Sequence, residues 1–229
     1  SASVRRGGGE ESPAAGPGVG SAAAGEGACV EYRGVEGWVL VVGDGDFSFG
    51  RGLLAHLGRG AAGRIVVSSY ETKEQVLGKY GDKAADCIAA LEAAGVELLF
   101  SVDARRLNRT FGGANPGAGD TGAGRKRKLP ELEPKLEPGA GEGPGEGPSA
   151  AASETFDRII FNFPHTGQQM AHVNRAMLRH FFRSAAPLLA SASAEIHVTL
   201  KLKFPYTSWD TDASAKAAGL MLADTLDFD

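Results

Sequence analysis

Apolar residues in this chain gather in short continuous runs, separated by stretches with helical spacing. Residues 38–42 (Trp38-Val39-Leu40-Val41-Val42) form one such run, and it stops at Gly43 as a buried parallel strand does. A glycine-rich turn follows, and a short helical stretch carries Leu53, Leu54 and Leu57. Residues 64–70 make a second, β-branched run. Thr72 stands three residues before Gln75, the spacing of a capping box, and opens a helix toward Tyr80. Asp82 opens another, with Ala85, Ile88, Ala89 and Leu91 along it and Gly95 closing it. Residues 96–102 read as a third strand, 156–161 as a fourth and 195–200 as a fifth. Between the last two, Val173, Met177, Phe181, Ala185 and Leu188 recur at the spacing of an amphipathic helix. A further helix is expected over 213–218, and 221–226 begins another element. Strands alternating with helices predict an α/β domain, a mostly parallel sheet covered by helices on both faces.

Two segments stand outside this pattern. Residues 1–36 are glycine, alanine, serine and charge without period, and read as a flexible tail. Residues 111–153 are rich in Gly, Pro and Glu and cannot bury enough apolar surface to offset the entropy of ordering them. They read as a disordered insertion within a domain that spans 37–229. Much of the glycine sits in these two segments, so the globular part is smaller than 229 residues suggest. The chain opens on Ser1 and stops at Asp229, which suggests a fragment cut at both ends.

Composition narrows the function classes. A net charge of -4 provides no global cationic field for nucleic acid. Cys29 and Cys87 lie far apart in no metal-binding spacing, so neither a zinc site nor a disulfide framework is expected, and a reducing compartment fits. No apolar run reaches the length of a membrane span, and no signal region supports secretion.

In a parallel sheet the ligand binds beyond the carboxyl ends of the strands. The first strand delivers Gly43-Asp44-Gly45-Asp46-Phe47-Ser48. Gly43 and Gly45 suit a tight turn close to a ligand, but Ser48 stands where a dinucleotide fingerprint has its third glycine. Asp44 and Asp46 would repel a pyrophosphate and tolerate a sulfonium and amino group, which favours S-adenosylmethionine over NAD. Asp46 has a second reading, as a helix N-cap. The second strand delivers Tyr70 and Glu71, where a carboxylate can accept from ribose hydroxyls; the third delivers Asp103, which can accept from an adenine amino group or cap the next turn. These residues, with Asn162, make the candidate cofactor cradle.

The fourth strand delivers Asn162, Phe163, Pro164 and His165. Asn162 can orient a base edge, and a neutral His165 can accept a proton, so these two are the candidate catalytic residues. Phe163 and Pro164 are candidate substrate contacts, as are Lys201 and Tyr206 beyond the fifth strand, where lysine and aromatics suit a phosphate and a stacked base. A snorkelling lysine beside core aromatics is the plain alternative. Arg125-Lys126-Arg127-Lys128 is a basic tetrad of the kind used for nuclear import or loose RNA contact, and equally a solvated cluster.

Taken together these blocks resemble the large-subunit rRNA uridine-N3 methyltransferase family, whose domain also stands at the front of ferredoxin-fold anticodon-binding domain-containing proteins. The resemblance lies in residues 39–49 (VLVVGDGDFSF), 68–71 (SSYE), 95–104, 156–167 (FDRIIFNFPHTG), the helix after it and 195–201. It implies a Rossmann-like class I methyltransferase fold, S-adenosylmethionine as donor, an RNA base as acceptor, and the nucleus or nucleolus as location, with the cytoplasm as alternative. Glu71 stands where the family usually has Asp, and Leu202-Lys203-Phe204 replaces a polar turn. The family continues into further strands; if these are absent here, an unpaired sheet edge is left after the fifth and activity is in doubt. Rival readings are a methyltransferase for another RNA or base nitrogen, a catalytically silent binding domain, and a nucleotide-dependent oxidoreductase.

Overall fold

Five adjacent strands of the seven pair in parallel, and the central ones are short, largely apolar stretches buried on both faces. The structure is a computed structural model and describes residues 2–6, 32, 35–112, 155–168 and 170–225. The strands are β1 (Ala2–Arg6), β2 (Val39–Val42), β3 (Ile65–Ser68), β4 (Glu97–Leu99), β5 (Arg158–Asn162), β6 (Glu195–Thr199) and β7 (Leu220–Thr225). Their order in one sheet is β4-β3-β2-β5-β6-β1-β7. The pairs β2–β3, β3–β4, β2–β5 and β5–β6 are parallel, whereas β1 runs antiparallel to both its neighbours. The helices are α1 (Ser48–Leu57), α2 (Lys73–Tyr80), α3 (Asp82–Ala94), α4 (Leu107–Thr110), α5 (Ala171–Ala185) and α6 (Thr211–Lys216). This seven-stranded α/β sheet is consistent with the Rossmann-like methyltransferase fold expected from the sequence.

Alternation along the central strand divides the core in two. Leu40 and Val42 join Ile159, Phe161, Leu178, Phe181 and Phe182 on one face; Val39 and Val41 join Ile160, Val67, Leu53, Ile88 and Leu91 on the other. Local signals set the helix ends. Thr72 accepts from the Gln75 amide while the Gln75 side chain accepts from the Thr72 amide, the reciprocal cap its spacing predicted. Gly95, at φ 84°, ends α3 in the left-handed region.

Three expectations are corrected and one conditional reading is resolved. Ala2–Arg6, read as part of a flexible tail, forms β1, with Val4 buried between β6 and β7. A single buried valine among small and charged residues gives too little periodicity to announce a strand. The condition for an open edge beside the fifth strand is also not met: β6 is flanked by β1 and then β7. The insertion begins later than residue 111, because Phe111 is buried edge-on against Phe156. The third strand is Glu97–Leu99 alone, since Ser101 turns at φ 59°. Apart from Tyr32, Val35 and Glu36 in the tail and Gly112 in the insertion, the rest of both, including the Arg125–Lys128 tetrad, lies outside the described residues.

Candidate functional site

Strand order grows outward from β2 in one direction through β3 and β4, then restarts on its other side with β5 and β6. In open α/β sheets, the point where that order reverses, here between the loops after β2 and β5, is where a ligand crevice forms at the carboxyl edge. Lateral hydrogen bonds tie the loops of this edge together. The Asp44 amide donates to the Ser68 carbonyl (2.9 Å), Ser69 to Leu99 (2.9 Å), Ser101 to Glu71 (3.1 Å) and Phe163 to Thr199 (2.9 Å). The candidate residues directly after β2, β3, β4 and β5 therefore stand along one edge of the sheet.

The β2 loop is built by close approach. Gly43 adopts φ 68°, and a Cβ there would meet the Phe161 ring at 2.9 Å. A Cβ on Gly45 would lie 2.6 Å from the Tyr80 hydroxyl. The glycine that lets helix α1 sit against the sheet is Gly50, where a Cβ would meet the Val67 methyls at 2.7 and 2.9 Å. The sequence reading sought that glycine at position 48; the signal was present two residues later. Phe47 turns at φ 61° and buries its ring against Phe100.

The two aspartates of this loop have different environments. The Gly50 amide donates to Asp44 Oδ2 at 2.7 Å. Burial nonetheless lifts the Asp44 pKa to about 6, only partly offset by that amide, and the charge of Asp46 adds to the rise. For Asp46, burial is outweighed by Lys83, 2.7 Å away, and by hydrogen bonds from Ser48, and its pKa falls below the ordinary value. The N-cap position of α1 is Phe47 rather than Asp46, but Asp46 accepts from Ser48, the first residue of the helix, and keeps its charge.

The other two acids are also paired. Lys79 donates to Glu71 Oε1 at 2.9 Å. Arg105 grips both oxygens of Asp103 and its amide donates to Oδ1, so Asp103 is the cap of the following turn. Burial of Asp103 is overcome by these bonds, and its pKa is lowered. Neither pairing was visible in the sequence. Tyr70, beside Glu71, is two-thirds exposed.

Beyond β5, the Thr199 hydroxyl donates to Asn162 Oδ1 at 2.7 Å. Phe163 turns at φ 49° with its ring partly exposed, and Pro164 is buried. The Gly167 amide donates to His165 Nδ1 at 3.1 Å. A ring nitrogen that accepts from an amide carries no proton, so the neutral imidazole holds its proton on Nε2. His165 therefore presents an Nε2–H donor. The segment is braced by Asn174 of α5, a fully buried side chain. Its Oδ1 accepts from the Thr166 amide and hydroxyl (2.9 and 3.0 Å), and its Nδ2 donates to Gln168 and Met170 carbonyls (2.8 and 3.1 Å). The next residue, Arg175, holds the neighbouring loop through the Ser208 carbonyl at 2.6 Å. In that loop Lys201 Nζ lies 5.9 Å from the centre of the Tyr206 ring, which packs on buried Trp209.

Among the described residues no group of His, Cys, Asp and Glu could hold a metal ion, and no helix is long and apolar enough to cross a membrane.

A family model described as BMT5-like, rRNA (uridine-N3-)-methyltransferase BTM5-like, matches residues 40–229. The chain is 29% identical over 198 residues to heavy metal-associated isoprenylated plant protein 41 of Arabidopsis thaliana, covering 83% of this chain and 30% of that protein. It is 27% identical to the ferredoxin-fold anticodon-binding domain-containing protein 1 homolog of Mus musculus, covering 83% of this chain and 26% of that one. An uncharacterized protein of Arabidopsis thaliana is 24% identical, with 80% and 72% covered. The chain thus spans less than a third of the length of the first two relatives. No solved structure matches it.

Proposed function

Because the chain belongs to the BMT5-like rRNA (uridine-N3-)-methyltransferase family, we propose that it transfers a methyl group from S-adenosylmethionine to N3 of a uridine in large-subunit rRNA. The observation that carries this reading is the reversal of strand order between β2 and β5, with a glycine-turned acidic loop on one side and Asn162-Phe163-Pro164-His165 on the other.

The donor set fits the cofactor. Asp44 and Asp46 suit a cationic ligand, Glu71 suits ribose hydroxyls and Asp103 an adenine amino group. Their partners Lys83, Lys79 and Arg105 have side chains 68%, 57% and 49% exposed, so each pair can open toward solvent as a ligand arrives. The cofactor, once bound, supplies an electrophilic methyl group. What the chain adds is positioning: it must hold the accepting nitrogen in line with that group and keep water out. Asn162 and His165 would meet the edge of the base, Phe163 its face, and Lys201 a phosphate. On this reading the protein works in the nucleus, where large-subunit rRNA is made.

Calorimetry with S-adenosylmethionine tests the cradle, and mass spectrometry of nucleosides from large-subunit rRNA incubated with the full chain tests the product. N3-methyluridine is the expected product. A chain that binds no S-adenosylmethionine would end this reading in favour of a silent binding domain.

A further inference from the structure

We propose that the loop after β5 selects uracil by presenting two hydrogen-bond donors, Asn162 Nδ2 and His165 Nε2, to the two carbonyl oxygens that flank N3. The inference rests on the reading that this site methylates an RNA base, and adds how that base is chosen and made reactive.

Both donors are set by protein contacts. The Thr199 hydroxyl occupies Asn162 Oδ1, which leaves the amide NH₂ to meet a ligand. The Gly167 amide occupies His165 Nδ1, which leaves Nε2–H. Neither Asn162 Nδ2 nor His165 Nε2 has a hydrogen-bond partner among the described residues. The two residues lie three apart on a stretch turned by Phe163 at φ 49°, anchored by buried Pro164 and braced by Asn174. Such bracing keeps the donors from rotating away when the crevice is empty.

Among the RNA bases, only uracil places a carbonyl oxygen on each side of its ring N–H. Cytosine has an amino group at one of those positions, and guanine flanks its ring N–H with one carbonyl and one amino group. Each would set a donor against a donor and leave both unpaired, the kind of mismatch that discriminates strongly. The same pair of donors also serves the chemistry. As the N3–H bond breaks, its electron pair stays on the ring and spreads onto O2 and O4, where the donors meet it. The proton passes to water, and N3 bonds the incoming methyl carbon as the bond from that carbon to sulfur breaks, its electron pair staying on sulfur in the released thioether, S-adenosylhomocysteine. His165 then acts by stabilising charge on oxygen, with no proton taken by its ring.

The test uses the full chain, its His165→Gln, His165→Ala and Asn162→Asp variants, S-adenosylmethionine and transcribed large-subunit rRNA. Rates are followed across neutral and alkaline pH. His165→Ala should be slower by about 10²–10³-fold, the usual cost of losing one such donor. His165→Gln, which keeps an N–H but cannot act as a base, should recover much of that loss with the wild-type pH profile. Equal rates for Gln and Ala, together with a vanished pH limb, would overturn the donor role while leaving the methyltransferase reading intact. A parallel arm measures anisotropy of labelled oligouridylate and oligocytidylate. Wild type should prefer oligouridylate and Asn162→Asp should lose the preference. If wild type transfers no methyl group, the methyltransferase reading fails, and absence of this preference refutes the two-donor site separately.

Discussion

Asp44→Asn isolates what it costs to keep a carboxylate at the end of β2. Burial raises the pKa of this group from 3.8 to about 6 in spite of the Gly50 amide. A folded pKa above the unfolded one means that the folded chain holds the proton more tightly. The stability contributed by the protonated form is complete below about 3.8 and is lost as pH rises through about 6. At about 1.4 kcal/mol per pH unit, that gap is worth roughly 3 kcal/mol. Asparagine mimics the protonated acid and can still accept from the Gly50 amide. The variant should therefore match wild type in acid and exceed it by up to roughly 3 kcal/mol above neutrality. Urea denaturation of both proteins over a pH series measures the difference directly, since other titrating groups cancel. A gap that stays constant across this window would refute the reasoning. The gain in stability should come with weaker S-adenosylmethionine binding by calorimetry, a trade familiar at functional sites.

Gly50→Ala should destabilise the fold by about 1–3 kcal/mol, because its Cβ would press on both Val67 methyls in a packed core; thermal denaturation checks it. Val4→Asp should release β1, seen as faster hydrogen exchange at β6 amides while β2 and β3 stay protected. Asn174→Asp keeps an acceptor for Thr166 but cannot donate to the Gln168 and Met170 carbonyls, and should cost about 1–3 kcal/mol in urea denaturation.

The central strands were legible because a parallel strand covered on both faces is nearly all apolar, as 39–42 is and 65–68 is but for Ser68, whose hydroxyl donates to the Val41 carbonyl. The Thr72 cap was legible for a similar reason, since it is written within four residues. The strand-end residues could be found from the same pattern, because a parallel sheet sends every such end to one edge. What escaped the sequence depends on partners distant along the chain. Nothing near residue 162 names Thr199, and nothing near residue 165 names Asn174 as the brace of its loop. The His165 tautomer turns on one backbone amide whose direction follows from Gly167 at φ 78°. Strand β1 escaped because most of what makes it a strand belongs to β6 and β7.

Seating β1 has a kinetic consequence. Val4 faces Ile196 on one side and Leu222 on the other, so the slot for it exists only once nearly all the described chain has been made. Closing so long a loop carries an entropic cost that local pairing cannot offset early. The parallel half of the sheet can form first, and entry of β1 as a wedge would then be a late event in folding. Until then β6 carries an open flank, and with it the strand whose Thr199 orients Asn162.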